Sequence, residues 1–229
     1  ISALCEETEA DVDEVATAIG MDTRIGSKFL KSSVGFGGSC FQKDILNLVY
    51  IAKSLGLNDV SEYSNQVVKI NNYQKQRFAK KIIKSLYNTV SEKKITLLGW
   101  AFKKDTNDSR ESAAIYIADF LIENGAQICV YDPKVSEQQM LSDLDYLNSR
   151  SSYDNQKALN YYSSPYEACD NSHAVAVITE WDEFKKYDWK KIYRDLVKPA
   201  KIFDGRNILD KYSLEKIGFE VYSIGRAVV

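Results

Sequence analysis

The chain has 229 residues, 45% of them hydrophobic, with 30 Lys and Arg against 32 Asp and Glu for a formal net charge of −2. That balance excludes a nucleic-acid binder working through a broad basic field. No apolar run approaches the ~18 residues that read as a membrane span, so neither nucleic acid nor membrane is expected as a partner. The cysteines, Cys5, Cys40, Cys129 and Cys169, lie far apart without a C-x-x-C pair. They suggest no metal site and no disulfide framework, and a reduced, cytoplasmic compartment is the simplest inference.

The chain opens on Ile1 in what reads as the tail of a helix over residues 1–5, the expectation for a piece of a longer protein. Asp11 and Glu14, three apart, mark the start of a short helix that carries Val15, Ala16 and Ile19 on one face and ends at Gly20. Residues 21–34 have weak periodicity and carry Arg24, Lys28 and Lys31, the cations an anion-binding wall needs. They lead into Val34-Gly35-Phe36-Gly37-Gly38-Ser39-Cys40-Phe41-Gln42-Lys43-Asp44, where three glycines within four residues let the backbone approach a ligand closely. A helical run over residues 45–55 follows. Ser39 and Gln42 have the capping-box spacing, which predicts Ser39 as N-cap and Cys40 at the first helical position. Unsatisfied N–H groups and the helix dipole favour a thiolate there. Lys43 adds positive charge, and Asp44 is a carboxylate within reach of a proton or a water.

From about residue 59 to 90 a helical pattern runs without Gly or Pro, with Val67, Ile70, Phe78, Ile82, Ile83, Leu86 and Val90 as its apolar stripe. That length reads as a spacer between two domains and as a dimerisation surface. At Lys93 the texture changes to alternating strands and helices: strands over 95–99, 127–131, 174–179, 201–204 and 219–224, with helices over 113–123 and 188–197. Residues 142–164, rich in Ser, Asn and Tyr, read as a surface excursion. The fold expected is α/β, with a helical central domain at 1–90 and a Rossmann-like doubly wound domain at 91–229. Ligands then lie outside the carboxyl ends of the strands. Gly99 stands where a dinucleotide fingerprint begins, but no G-x-G-x-x-G follows, so nucleotide phosphates would meet side-chain cations instead. Asp132 ends the next strand, where a ribose-binding acid would lie. His173, beside an apolar run, reads as structural.

The ordered Gly-Phe-Gly-Gly-Ser-Cys-Phe-x-Lys-Asp resembles the active-site cysteine segment of the nucleotide-sugar dehydrogenases, and of their UDP-glucose branch in particular. Phe-Lys-x-x-Thr-x-Asp-x-Arg-x-Ser from Phe102, and Phe203-Asp204-Gly205-Arg206, resemble that family's UDP-binding domain, in the family's order. The resemblance implies NAD-dependent oxidation of UDP-glucose to UDP-glucuronate in two hydride transfers. It implies Cys40 as nucleophile, through a thiohemiacetal and a thioester, with Asp44 as candidate to activate water. It assigns Arg24, Lys31, the backbone of Val34, Gly35, Phe36 and Gly37, and Phe102, Lys103 and Arg206 to the UDP-sugar, Arg24 reaching a neighbouring subunit. Cys40, Phe41, Gln42, Lys43 and Arg110 would border the cofactor. The family's NAD-binding domain, its catalytic Glu and its Lys/Asn pair precede the point where this chain begins, so the chain alone is expected to be inactive. A dimer through the long helix, or a hexamer, is implied. The rival readings are a dehydrogenase of GDP-mannose or a UDP-N-acetyl sugar, and a non-catalytic nucleotide-sugar-binding oligomerisation module.

Overall fold

The structure is a computed structural model and describes residues 1–227; Val228 and Val229, the last two of the expected second domain, lie outside the described residues. The chain begins with four helices: α1 (Ser2–Thr8), α2 (Val12–Gly20), α3 (Ser39–Ser54) and α4 (Asn58–Ser85). Asp11 caps α2 by accepting from the Asp13 N–H at 2.7 Å. Residues 21–38 form neither helix nor strand beyond turns and bends.

The alternating region follows as β1 (Lys94–Leu98), α5 (Ala113–Glu123), β2 (Gln127–Tyr131), α6 (Glu137–Leu147), α7 (Ser152–Ala158), β3 (Leu159–Tyr161), α8 (Pro165–Cys169), β4 (Ala174–Val177), α9 (Trp189–Asp195), β5 (Lys201–Asp204), α10 (Lys211–Ile217) and β6 (Glu220–Ser223). A 3₁₀ turn over Asp182–Lys186 precedes α9. The six strands are parallel in the order β3-β2-β1-β4-β5-β6, the doubly wound arrangement expected. Register aligns Leu98 with Tyr131 and Val177, and Val177 with Asp204, so the carboxyl ends of β1, β2, β4 and β5 form one edge. Strand order reverses between β1 and β4, and the crevice outside that switch point is where such sheets bind ligands.

The expected surface excursion at 142–164 is corrected: it is the end of α6, then α7, then edge strand β3. Met140, Leu144 and Leu147 pack inward at helical spacing, and Ser136 caps α6 through the Gln139 N–H. Three apolar positions at i, i+4 and i+7 suffice for a crossover helix although the sequence around them is polar.

The long helix corresponds to α4, with a different buried face. Ser61, Ser64, Val68, Asn71, Lys75, Phe78 and Ile82 are buried, at alternating steps of three and four. Ile70, expected in the apolar stripe, is 62% exposed. Polar side chains hold most of these inner positions: Ser61 donates to the Val49 carbonyl of α3, Ser64 to the Val60 carbonyl of its own helix, and Asn71 bonds the glycine-rich loop. Phe78, Ala79, Ile82 and Leu86 belong instead to the same core as the sheet and α5.

His173 is structural. It sits at the amino end of β4, its Nδ1 accepts from the Lys94 N–H at 3.2 Å, and burial lowers its pKa.

Candidate active site

The glycine-rich loop is seated on the carboxyl edge of the sheet. The Val34 N–H donates to the Gly205 carbonyl after β5 at 3.0 Å, and the Gly38 N–H donates to the Arg110 carbonyl at 2.8 Å. A side chain on Gly37 would stand 2.6 Å from the Glu111 carbonyl and 2.9 Å from the Phe102 Cβ, so only glycine permits this approach. From the other side, Asn71 of α4 clamps Phe36. Its Oδ1 accepts from the Phe36 N–H at 2.8 Å and its Nδ2 donates to the Phe36 carbonyl at 3.0 Å. Gln74 donates to the Ser33 carbonyl at 2.8 Å. These backbone groups are thereby held from two directions, which fixes where the following helix starts.

Gly38, not Ser39, is the N-cap of α3, and no side chain caps that helix, which corrects the expected capping box. The reason is competition. The Ser39 hydroxyl lies 3.8 Å from the Cys40 thiol, while Gln42 donates to Glu111 Oε2 at 3.0 Å rather than reaching back. Cys40 is therefore the second helical residue, still in the first turn where backbone N–H groups are free of intrahelical partners. It is exposed, whereas Cys5, Cys129 and Cys169 are buried. Asp44 lies one turn further on the same face and is exposed. Phe41 packs edge-on against Phe36, ring centroids 4.7 Å apart.

Gln42, Lys43 and Arg110 share one hollow of about 550 Å³, walled by Leu46, Ile115 and Tyr146. Arg110 is 67% exposed and holds Asp108 in a fork of 2.9 and 2.7 Å, which lowers the Asp108 pKa. The fork with Asp108 chiefly raises the Arg110 pKa.

Arg206 follows β5 and folds back over the switch point. Its Nε donates to the Ile178 carbonyl at 2.6 Å and its guanidinium to the Phe102 carbonyl at 3.0 Å, with Glu180 3.2 Å away. Phe102 lies against Gly38, and Lys103 beside it is exposed. The residues assigned from 34 to 43, with Phe102, Lys103, Arg110 and Arg206, are thus brought to one edge. Arg24 is not: it is 87% exposed and pairs with its neighbour Asp22. Lys31 is exposed beside Ser32, whose hydroxyl accepts from Asn207, the residue after Arg206, at 3.1 Å.

Asp132 is corrected. It is 2% exposed, and its two oxygens accept from the N–H groups of Trp100, Ala101, Lys134 and Val135 and from the Trp181 indole. A carboxylate with five donors has no lone pair left for a ribose; it ties the loops after β1, β2 and β4 together. Gly99, at φ +96°, lies against Thr179, where a Cβ would come within 2.4 Å.

Three residues behind the loop had no sequence signal of their own. Lys75 is 1% exposed, its ammonium has no hydrogen-bond partner among the described residues, and it lies 3.8 Å above the Tyr116 ring. Burial lowers its pKa to about 8, opposed by the attraction of Glu111. Tyr116 donates to Glu111 Oε2 at 2.5 Å, the oxygen that also accepts from Gln42. The signal that could have found Lys75 is its place in the three-four spacing between Asn71 and Phe78.

Fold and site together define an α/β protein of the nucleotide-binding, doubly wound kind, with an exposed thiol carried to the sheet's ligand edge. Two family models match: the central domain of the UDP-glucose/GDP-mannose dehydrogenase family over residues 1–73, and that family's UDP binding domain over residues 96–211. The chain belongs to the UDP-glucose/GDP-mannose dehydrogenase family. It is 54% identical to a UDP-glucose 6-dehydrogenase of Bos taurus over 100% of this chain and 47% of the relative. Identity is 55% to that of Drosophila melanogaster, over 99% of this chain and 48% of the relative. Among solved structures, a UDP-glucose dehydrogenase of Pyrobaculum islandicum superposes with a TM-score of 0.77 at 27% identity, covering 99% of this chain and 46% of that one. The chain spans about half the length of the curated relatives it matches. No helix among the described residues is long and apolar enough to cross a membrane.

Proposed function

We propose that the intact protein is an NAD-dependent UDP-glucose 6-dehydrogenase, working in the cytoplasm. In this reading residues 1–90 form a central domain bearing the nucleophile and 91–229 a UDP-sugar-binding domain. The observation that carries it is the seating of the Cys40 loop on the sheet edge, between Phe102 and Gly205. The names borne by relatives 54% identical across the whole chain support the sugar.

The residues present fit a dinucleotide. Lys43 and Arg110 offer charge for phosphates beside the apolar surface of Leu46, Ile115 and Tyr146, with Gln42 in the same hollow and the exposed Phe41 next to it in sequence. When bound, NAD accepts hydride in each of two oxidations. The chain's own part follows from its chemistry. An aldehyde carries no transferable hydride at an alcohol-like carbon until a nucleophile adds. The Cys40 thiolate forms a C–S bond to the aldehyde carbon, giving a thiohemiacetal, and loss of the second hydride leaves a thioester. Water then displaces the thiol to give the carboxylate, with Asp44 one helical turn away to take the water's proton. Lys103, Arg206 and Lys31 neutralise the pyrophosphate, the Val34–Gly37 backbone holds the sugar, and Arg24 acts in a neighbouring subunit's site. The exposed apolar side chains of α3 and α4, including Tyr50, Ile51, Tyr63 and Ile70, support a homodimer along these helices, and a hexamer built from it.

The test is calorimetric titration of this chain with UDP-glucose, UDP and GDP. Binding that prefers UDP ligands and weakens in Lys103→Ala and Arg206→Ala is expected. Preference for GDP would move the reading to GDP-mannose, and competition among UDP-sugars separates the N-acetyl rivals. This chain alone is expected to make no NADH from UDP-glucose, and NADH production by it would overturn the division of labour.

A further inference from the structure

A buried ammonium without a hydrogen-bond partner is costly, and α4 carries one at the back of the thiol loop. Lys75 is 1% exposed and its Nζ faces the Tyr116 ring at 3.8 Å. Its stem lies against the loop, since a Cβ on Gly35 would stand 3.3 Å from the Lys75 Cγ. Tyr116 connects it to Glu111: the ring lies under the ammonium and its hydroxyl donates to Glu111 Oε2 at 2.5 Å, and Glu111 has a left-handed backbone φ of 55°. The Glu111 carbonyl roofs Gly37, and its Oε2 accepts from Tyr116 and from Gln42, two residues beyond Cys40. Three segments therefore meet at one carboxylate: α4 through charge, α5 through Tyr116, and the first turn of α3 through Gln42.

We propose that Lys75 is an electrostatic positioning residue, whose buried charge holds the Glu111 carboxylate against Gln42 and so sets the placement and charge environment of Cys40. The inference rests on Cys40 being the nucleophile and adds a residue that touches neither substrate nor cofactor. Lysine stands at a position where an apolar side chain of similar length would pack without desolvation cost. Such a residue trades stability for the site it supports.

The experiment follows alkylation of this chain by iodoacetamide at pH 7, with each thiol resolved by peptide mass. Lys75→Met leaves Glu111 uncompensated near the thiol. Its Cys40 rate is expected to fall about fivefold, with thermal stability unchanged or raised. Lys75→Arg keeps the charge and the wild-type rate. Glu111→Gln keeps the acceptor for Gln42 but leaves Lys75 uncompensated, so its rate rises. The double variant Lys75→Met/Glu111→Gln returns towards wild type. Unchanged Cys40 rates in Lys75→Met and Glu111→Gln would overturn the proposal, as would a rate loss that the double variant fails to restore. Should Lys75→Met not fold, the rise in Glu111→Gln decides alone. A wild-type Cys40 no faster than the three buried thiols would instead strike at the nucleophile reading itself.

Discussion

The two halves of α4 are built from one helical repeat and live in different surroundings. The second half lays Phe78, Ala79 and Ile82 into the core beneath the sheet, where they are 2% exposed or less. The first part, through Lys75, buries Ser61, Ser64, Val68, Asn71 and Lys75, and its outer side mixes Tyr63, Ile70 and Tyr73, at 79, 62 and 51% exposure, with exposed Glu62, Gln66, Lys69 and Asn72. An ordinary surface helix keeps its inner stripe apolar, and this one does not. The inner polar groups have separate partners: Asn71 and Gln74 bond the loop backbone, while Ser61 donates to the Val49 carbonyl of α3 and Ser64 to the Val60 carbonyl of its own helix. One half of the helix holds the fold, and the other holds the site.

The sharpest way to break that contrast is to truncate a side chain in each half. Phe78→Ala removes an aromatic ring from the shared core and is expected to cost about 3–5 kcal/mol in urea unfolding. Ile70→Ala, an equally apolar residue eight positions earlier, should stay within about 0.5 kcal/mol. Similar costs at both positions would mean that the first half is packed far more tightly than its exposure implies.

Lys75 sharpens the comparison through pH. Burial holds its folded pKa near 8, below the 10.5 of an unfolded lysine. Between those values the unfolded chain binds more protons, so this group makes stability rise with pH across that window. Below about pH 8 both states are charged and the cost of burying the ammonium is fully present, of order 3 kcal/mol. Stability of Lys75→Met relative to wild type should therefore be greatest at pH 7 and shrink towards pH 10.5. A difference that does not change with pH would mean that Lys75 reaches solvent.

Asn71 ranks next. Asn71→Ala leaves the Phe36 N–H and carbonyl without their clamp, at a cost of about 1–3 kcal/mol. If the inner polar face exists for the loop, the same variant should lose UDP affinity out of proportion to stability. Calorimetry and urea unfolding on one preparation separate the two effects.

The sheet was largely legible, because buried parallel strands are short apolar runs and their helices have the 3.6 period; α5, β2 and β5 lie where the sequence puts them. The cysteine loop was legible as a motif. Illegible were the parts where the chain uses polar residues structurally. Asp132 has the position of a ribose ligand, yet it serves five internal donors. Ser39 and Gln42 have capping spacing, yet Glu111, 69 residues from Gln42, claims its side chain. The inner face of α4 escapes a periodicity traced through apolar residues, because the helix breaks that code with buried Ser61, Ser64, Asn71 and Lys75. Local patterns cannot report a competitor distant in sequence.

The smallest effect on the fold is expected at the outer face, and it tests that face most directly. Tyr63→Glu combined with Ile70→Glu places two carboxylates on one side of α4 where the side chains are already exposed, so the monomer loses little buried area. Within a partner interface the same charges would be desolvated without a counter-ion, which is strongly unfavourable. Sedimentation should then give a dimer for the wild type and a monomer for the variant, with unfolding midpoints of the separated monomers nearly equal. A wild-type chain that stays monomeric at high concentration would assign the apolar face to a segment outside residues 1–227. A variant that remains dimeric would move the interface off α4, leaving Tyr63 and Ile70 as ordinary exposed apolar side chains.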